Sequence, residues 1–116
     1  MKKTFYFLAS LLVICTLFNS CKKNDFDENL LYGKWKSGSE YWVYERGYTG
    51  YFWVEGSYTE EQGKQQPFTW KLEKSEFRVT HFGGMVPKLY TVTELTSTTL
   101  KYHDDFDKKY SFTKVN

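Results

Sequence analysis

The stretch Phe68-Thr-Trp-Lys-Leu-Glu73 decides the fold class of this chain, because its hydrophobic pattern has a period of two. Phe68, Trp70 and Leu72 alternate with polar residues, so the apolar side chains share one face of an extended segment. Such alternation is typical of a β-strand with one face on a core and the other in water. The stretch therefore predicts a half-buried strand.

The same alternation recurs along most of the chain, separated by short polar or glycine-containing turns. It predicts about eight strands, at residues 31–36, 40–45, 51–55, 68–73, 77–81, 90–93, 99–102 and 110–113. Leu95 breaks the phase of the sixth strand, which indicates a bulge or the strand end. We interpret residues 60–67 as the longest polar loop and expect no helix in the domain beyond a turn near residues 25–31. Short connections require antiparallel neighbours. The sequence therefore predicts an all-β, up-and-down meander that closes into a barrel, with a small β-sandwich as the alternative.

The N-terminal residues form a separate segment. Lys2 and Lys3 precede an apolar run over residues 5–18, and Ser20-Cys21 follows. This layout resembles a bacterial lipoprotein signal peptide, and the alternative is an uncleaved anchor helix. The resemblance implies removal of residues 1–20, attachment of fatty-acyl chains to Cys21, and a membrane anchor. In the lipoproteins that this segment resembles, an Asp after the Cys indicates retention in the inner membrane, so the resemblance with Lys22 at that position implies the outer membrane of the cell envelope. We divide the chain into residues 1–20, a lipidated Cys21 with a polar tether to residue 29, and a domain at residues 30–116.

Charge and cysteine content exclude several classes of protein. The chain has 16 Lys+Arg and 14 Asp+Glu, and losing Lys2 and Lys3 leaves 14 of each. A balanced domain without a basic stripe does not favour nucleic-acid binding. Cys15 lies in the predicted signal segment and Cys21 takes the lipid, so the domain has neither a disulfide nor a thiol nucleophile. Its stability must come from a core, and aromatic residues make up 21% of the chain.

A family resemblance rests on Gly33-Lys-Trp35 at the start of the first strand. This motif resembles the Gly-x-Trp signature of lipocalins and related calycins. The succession of predicted strands and turns after it is similar to that of small lipocalin-like domains of bacterial lipoproteins. The resemblance covers about residues 29–115 and includes Phe68-Thr-Trp70. It implies a barrel in which Trp35 packs across a closed end, Gly33 permits close approach, and Trp70 belongs to the structural signature.

The interior of such a barrel either holds a ligand or is filled by its own side chains. Eight predicted inward aromatic residues favour a mostly filled interior: Trp35, Phe68, Trp70, Phe77, Tyr90, Tyr102, Tyr110 and Phe112. A shallow mouth that carries a small hydrophobic ligand remains the alternative.

The second and third predicted strands carry aromatic residues on both faces, although only one face can point inwards. Some of these rings must therefore lie outside, where an aromatic patch marks a contact surface for protein, glycan or lipid. Cross-strand pairing that only stabilises the hairpin is the alternative. The candidate binding residues are Tyr41, Trp42, Tyr44, Tyr48, Tyr51 and Trp53.

The cluster that most resembles a catalytic or metal site contains His81, His103 and Asp104–Asp107. Its spacing does not match a calcium loop, and Asp is favoured in turns for its own hydrogen bonds. Glu60-Glu61 and the pair Glu73 and Glu76 lack any sign of a cleft between them, which a glycosidase needs. We therefore predict no metal, no cofactor and no catalytic residues. The sequence favours an envelope lipoprotein that docks a protein or glycan, ahead of a ligand carrier and then a hydrolase.

Overall fold

A computed structural model describes residues 26–81, 83–84 and 86–116, so Cys21, the predicted signal segment and most of the predicted tether lie outside the described residues. Eight antiparallel strands close into one barrel in sequence order. The strands are β1 (Gly33–Ser37), β2 (Glu40–Glu45), β3 (Thr49–Val54), β4 (Phe68–Glu73), β5 (Glu76–Thr80), β6 (Lys88–Leu95), β7 (Thr99–His103) and β8 (Lys109–Val115). The predicted all-β, eight-stranded barrel is confirmed, and the sandwich alternative is wrong.

Alternating side chains fill the barrel. Trp35 in β1 lies opposite Trp42 in β2 on one side and Lys114 in β8 on the other. All eight predicted inward aromatic residues belong to the core, six of them buried and two, Tyr90 and Tyr110, packed against it while partly buried. Between β6 and β7 the register shifts at Val92/Glu94, which returns Leu95 to the buried side, as its broken phase indicated.

One end of the barrel is closed by the chain that leads into β1. A 3₁₀-helix at Glu28–Leu30 places Leu31 in the core, which is why β1 begins two residues later than predicted. The Trp35 indole donates a hydrogen bond to the Leu31 carbonyl at 2.8 Å. Lys114 donates to the carbonyls of Leu30 and Tyr32 at 3.0 and 2.6 Å, and its Nζ lies 4.4 Å from the centre of the Trp35 ring. We call this the closed end.

Phe26 also packs against the core at partial burial, so the fold includes residues at the end of the predicted tether. Gly33 has φ +126°, and a Cβ there would lie 2.8 Å from Lys114 Cε. Trp35 and Gly33 thus occupy structural positions at the closed end.

The prediction of a helix-free loop at residues 60–67 is wrong, because Glu60–Lys64 forms a short α-helix, α1. Thr59 and Gln62 form a capping box, in which each side chain bonds the other's backbone N–H. Five residues are too few to show a helical period, which is why the pattern missed it.

The helix α1 packs on the half of β3 that does not pair with β4. β3 pairs with β4 only through Thr49–Thr69 and Gly50–Phe68. Gly63 in α1 lies so close to β3 that a Cβ there would come 2.5 Å from the Phe52 carbonyl oxygen. The second half of β3 is therefore not paired with β4, and this gap lies at the end of the barrel opposite the closed end. We call that end the open end.

Candidate binding sites on the two faces of the aromatic hairpin

The six predicted binding residues lie in three places, because the β2–β3 hairpin sends alternate rings to opposite faces. Tyr41, Tyr51 and Trp53 lie on the outer face, in a small cluster with Val43. Trp42 and Tyr44 point into the barrel and contact its core. Tyr48 lies in the turn between the strands, at the closed end, and is 45% exposed. The six residues therefore do not form one continuous surface.

The outer face carries a groove of about 440 Å³, whose lining includes Lys34, Lys36, Tyr41, Trp53 and Glu55. We call this set the outer groove. The Tyr41 and Trp53 rings are cross-strand partners and stack with 4.7 Å between their centres and 7° between their planes. Two lysines on neighbouring outward positions of β1 flank the stack. Lys36 Nζ lies 5.1 Å from the centre of the Tyr41 ring, and Lys34 Nζ lies 5.3 Å from that of Trp53.

Polar groups of both kinds meet at the rim of the outer groove. The Tyr41 hydroxyl donates to Glu55 Oε2 at 3.4 Å. Interaction with the Tyr41 side chain raises the pKa of Lys36, and the Glu55 carboxylate raises it further, so this ammonium stays charged. The groove therefore offers donors, acceptors and aromatic carbon within a small volume.

The helix α1 closes the other half of the outer face. Tyr51 donates to Glu60 Oε2 at 2.9 Å, and Lys64 Nζ lies 5.7 Å from the centre of its ring. Partial burial, followed by the hydrogen bond to Glu60, raises the pKa of Tyr51. Tyr51 is 8% exposed, so α1 and Lys64 occupy the space that a partner of this ring would need.

Tyr48 and Trp70 form a separate pair at the closed end. Their ring centres are 5.2 Å apart, the Tyr48 hydroxyl donates to Glu28 at 3.0 Å, and Trp70 donates to the Thr49 carbonyl at 2.8 Å. Tyr48 has φ +65° in the turn. These contacts join the 3₁₀-helix to the β2–β3 turn.

The inner face of the hairpin leads to a second concave region at the open end. Trp42, Phe52, Phe68 and His81 meet there, with ring centres between 4.5 and 5.9 Å apart. We call these four residues the mouth cluster. Phe52 lines a hollow of about 360 Å³ beside α1, while Phe68 and His81 line another of about 300 Å³. Burial, followed by the charge of Lys88, lowers the pKa of His81, so its ring stays neutral at pH 7.

Deeper inside, Tyr44 packs edge-on against Phe68 and Trp70 and is 1% exposed. Its hydroxyl is buried and has no hydrogen-bond partner among the described residues. Burial raises the pKa of Tyr44 far above its usual range, and the nearby Tyr102 hydroxyl offsets only a small part of that rise, so the group is a neutral polar atom in an aromatic core.

The structure does not unite the His and Asp residues of the sequence-predicted cluster. His81 belongs to the mouth cluster, whereas His103 Nδ1 lies 2.9 Å from the Asp104 carbonyl oxygen. Asp104 Oδ1 accepts from the backbone N–H groups of Phe106 and Lys108, an ordinary turn role. Within the described ranges, no three His, Cys, Asp or Glu side chains are grouped to hold a metal ion.

Sequence reasoning missed Lys34, Lys36 and Glu55 as candidate site residues. Lys36 pairs with Tyr41 across β1 and β2, and Tyr41 pairs with Trp53 across β2 and β3. A predicted register for the first three strands would have placed the lysine beside the two rings, since direct cross-strand partners lie close together.

Comparison of the chain with protein-family models, with curated proteins and with solved structures finds no match. In the part of the chain that the structure describes, no helix has the length and apolar character needed to span a membrane.

Proposed function

We propose that this chain is a lipid-anchored binding module of a bacterial cell envelope, held to the outer membrane through Cys21, and that it docks an envelope glycan in the outer groove. The observation that carries the docking site is the Tyr41–Trp53 stack with Lys36 and Glu55 at its rim. A sugar has apolar C–H faces and hydroxyl groups that donate and accept, so it suits aromatic carbon bordered by charged and polar groups.

A glycan suits the outer groove better than a protein does. Protein partners anchor on large exposed aromatic side chains at the centre of wide interfaces. Trp53 is only 8% exposed and α1 covers Tyr51, so the free aromatic area lies mainly on Tyr41. That area suits contact with one sugar ring and is too small for a protein anchor. A volume of about 440 Å³ lies within the range of small-ligand sites.

The position of the groove fits the proposed anchor. Phe26 packs on the core of the barrel, and Leu31 is buried at its closed end. The five residues from Cys21 to Phe26 can span at most about 18 Å, which holds the closed end near the membrane. Tyr41, Trp53 and Glu55 lie at the start of β2 and the end of β3, away from that end. Replacing Cys21 by Ala should release the protein from membranes, and full retention in the membrane would contradict the lipid anchor.

The docking site is tested by titrating the detergent-solubilised full chain with muropeptides, oligogalacturonate and methyl-esterified oligogalacturonate in a calorimeter. Tyr41→Ala should weaken glycan binding by about tenfold or more, the loss of one stacked contact. Tyr58→Ala is the matched control, because Tyr58 is a 37% exposed aromatic residue outside the groove. An equal loss in both variants, or no glycan binding at all, would contradict the proposal. Binding of a purified envelope protein that Tyr41→Ala abolishes would assign the groove to protein instead.

The second candidate function is transport of a small hydrophobic ligand at the open end. The partly buried rings of Trp42 and Phe52 in the mouth cluster, beside the gap between β3 and β4, favour it. The apolar fluorophore N-phenyl-1-naphthylamine would bind there, and Phe52→Ala would weaken its binding while Tyr41→Ala would not. The reverse pattern would contradict the carrier function.

A further inference from the structure

The two lysines of the outer groove are arranged as a pair. Lys34 and Lys36 are separated by one residue of β1, so both project outwards, about 7 Å apart along the strand. Each ammonium lies over a different ring of the Tyr41–Trp53 stack. Two cations therefore lie beside the aromatic stack, one against each ring.

Each cation has a carboxylate neighbour at the edge of the groove. Glu60 Oε1 lies 3.6 Å from Lys34 Nζ, with 30% and 35% of the two side chains exposed. Glu55 raises the pKa of Lys36 and accepts from Tyr41. Both glutamates reach solvent, and partly exposed pairs of this kind contribute little to stability. An incoming anion can therefore take the place of either glutamate at low energetic cost.

We propose that the outer groove selects an acidic glycan, whose carboxylates bind Lys34 and Lys36 while a sugar ring contacts the partly exposed side chain of Tyr41. This inference rests on the proposed glycan docking and names the class of glycan. A neutral glycan would bury the two ammonium groups without adding an anion, which costs solvation energy. A uronic acid supplies that anion in a charge-assisted hydrogen bond.

Oligogalacturonate and its methyl ester test the inference, because they share one backbone and differ in charge. The full chain in detergent micelles is titrated with each, in buffers of low and high salt. The acid should bind about tenfold more tightly than the ester, and high salt should remove most of that difference. Lys36→Gln and Lys34→Gln should each weaken binding of the acid about three- to tenfold and leave the ester unchanged. Lys101→Gln is the control, because Lys101 is an exposed lysine on β7.

Glu55→Gln distinguishes selection for charge from a general effect on the groove. Removing this competing carboxylate should tighten binding of the acid about twofold or more, without tightening binding of the ester. Equal affinities for acid and ester would overturn the acidic selectivity and leave glycan docking intact. If neither saccharide nor the muropeptides bind, both the selectivity and the proposed function fail. Thermal melts of each variant confirm that the barrel is folded.

Discussion

The two faces of the β2–β3 hairpin have similar aromatic content and different means of stabilisation. Inside, Trp42 and Tyr44 contact other rings of the core. The Trp42 indole donates to Glu40 Oε1 at 3.0 Å, whereas the Tyr44 hydroxyl has no hydrogen-bond partner among the described residues. Outside, each ring has a polar neighbour: a lysine near Tyr41 and Trp53, and Glu60 with Lys64 near Tyr51. The buried Tyr44 therefore depends on packing alone, whereas every ring of the outer face lies beside charged groups at the surface.

The largest expected difference in stability between the two faces follows from removing a whole aromatic ring. Tyr44→Ala should lower the free energy of unfolding by about 3–5 kcal/mol, because it leaves a cavity in a closely packed interior. Tyr41→Ala should lower it by only about 1 kcal/mol, the range of a cross-strand pair. Urea unfolding followed by tryptophan fluorescence measures both. Equal losses would show that the outer stack is as important for stability as the core.

A substitution at the contact between α1 and β3 should change the free energy of unfolding by less than the loss of the Tyr44 ring. Gly63→Ala should improve the intrinsic helix propensity of α1 by about 1 kcal/mol. Its new Cβ would lie 2.5 Å from the Phe52 carbonyl oxygen, so α1 must shift away from β3. We expect a net loss of about 1–3 kcal/mol in the free energy of unfolding, the usual range for overpacking. Glu61→Ala, an exposed change in the same helix, is the control, and a more stable Gly63→Ala variant would contradict the close contact.

Removal of one hydroxyl should change the free energy of unfolding in opposite directions on the two faces of the hairpin. Tyr44→Phe deletes a buried oxygen for which the described part of the chain provides no hydrogen-bond partner, so the free energy of unfolding should rise by up to about 1 kcal/mol. Tyr51→Phe loses the 2.9 Å hydrogen bond to Glu60, so the free energy of unfolding should fall by about 1 kcal/mol. The two midpoints of urea unfolding give the comparison directly. Destabilisation by Tyr44→Phe would mean that the inner hydroxyl has a partner in solution.

The smallest expected effect is the pH dependence of the mouth cluster. Because the pKa of His81 is lowered in the folded state, the unfolded chain binds more protons near its ordinary pKa of 6.5. This contribution to stability is present above that value and is lost as the pH falls towards the lower pKa of the folded state. His81→Phe keeps the ring and cannot titrate, so its melting temperature should fall less than that of the wild type between pH 7.5 and 5.5, about one unit above and below that pKa. An identical fall in both proteins would contradict the role of His81.

The strand pattern of this chain could be predicted because most strands have one apolar face. The predicted bounds of β2 and β4 match the structure, and the alternation of Phe68, Trp70 and Leu72 fixed their inward direction. On β2 and β3 both faces are aromatic, so the pattern separated the two sets of rings without showing which set points inwards. Tyr44 and Trp42 were therefore grouped with Tyr41 although they lie on the opposite side of the sheet.

The rest of the candidate site depends on register and on a short helix. Lys36 lies beside Tyr41 because of the register in which β1 pairs with β2. The alternation of residues within one strand does not indicate that register. The covering of Tyr51 by α1 depends on the capping box of Thr59 and Gln62, which stabilises five residues that show no helical period. The docking function, the lipid anchor and the lipocalin-like resemblance stay predictions for the experiments above.

The contacts of Lys114 determine when the barrel can be completed during synthesis. Its bond to the Leu30 carbonyl joins residues 84 positions apart, and β1 needs β8 as well as β2 to pair both of its edges. Contacts of such long sequence separation form late and slow folding. A chain that crosses a membrane N-terminus first can pair β1 with β2 early, but the other edge of β1 stays unpaired until β8 has emerged. If this domain is exported as proposed, it crosses the membrane before its sheet is complete and closes into a barrel only once β8 has crossed.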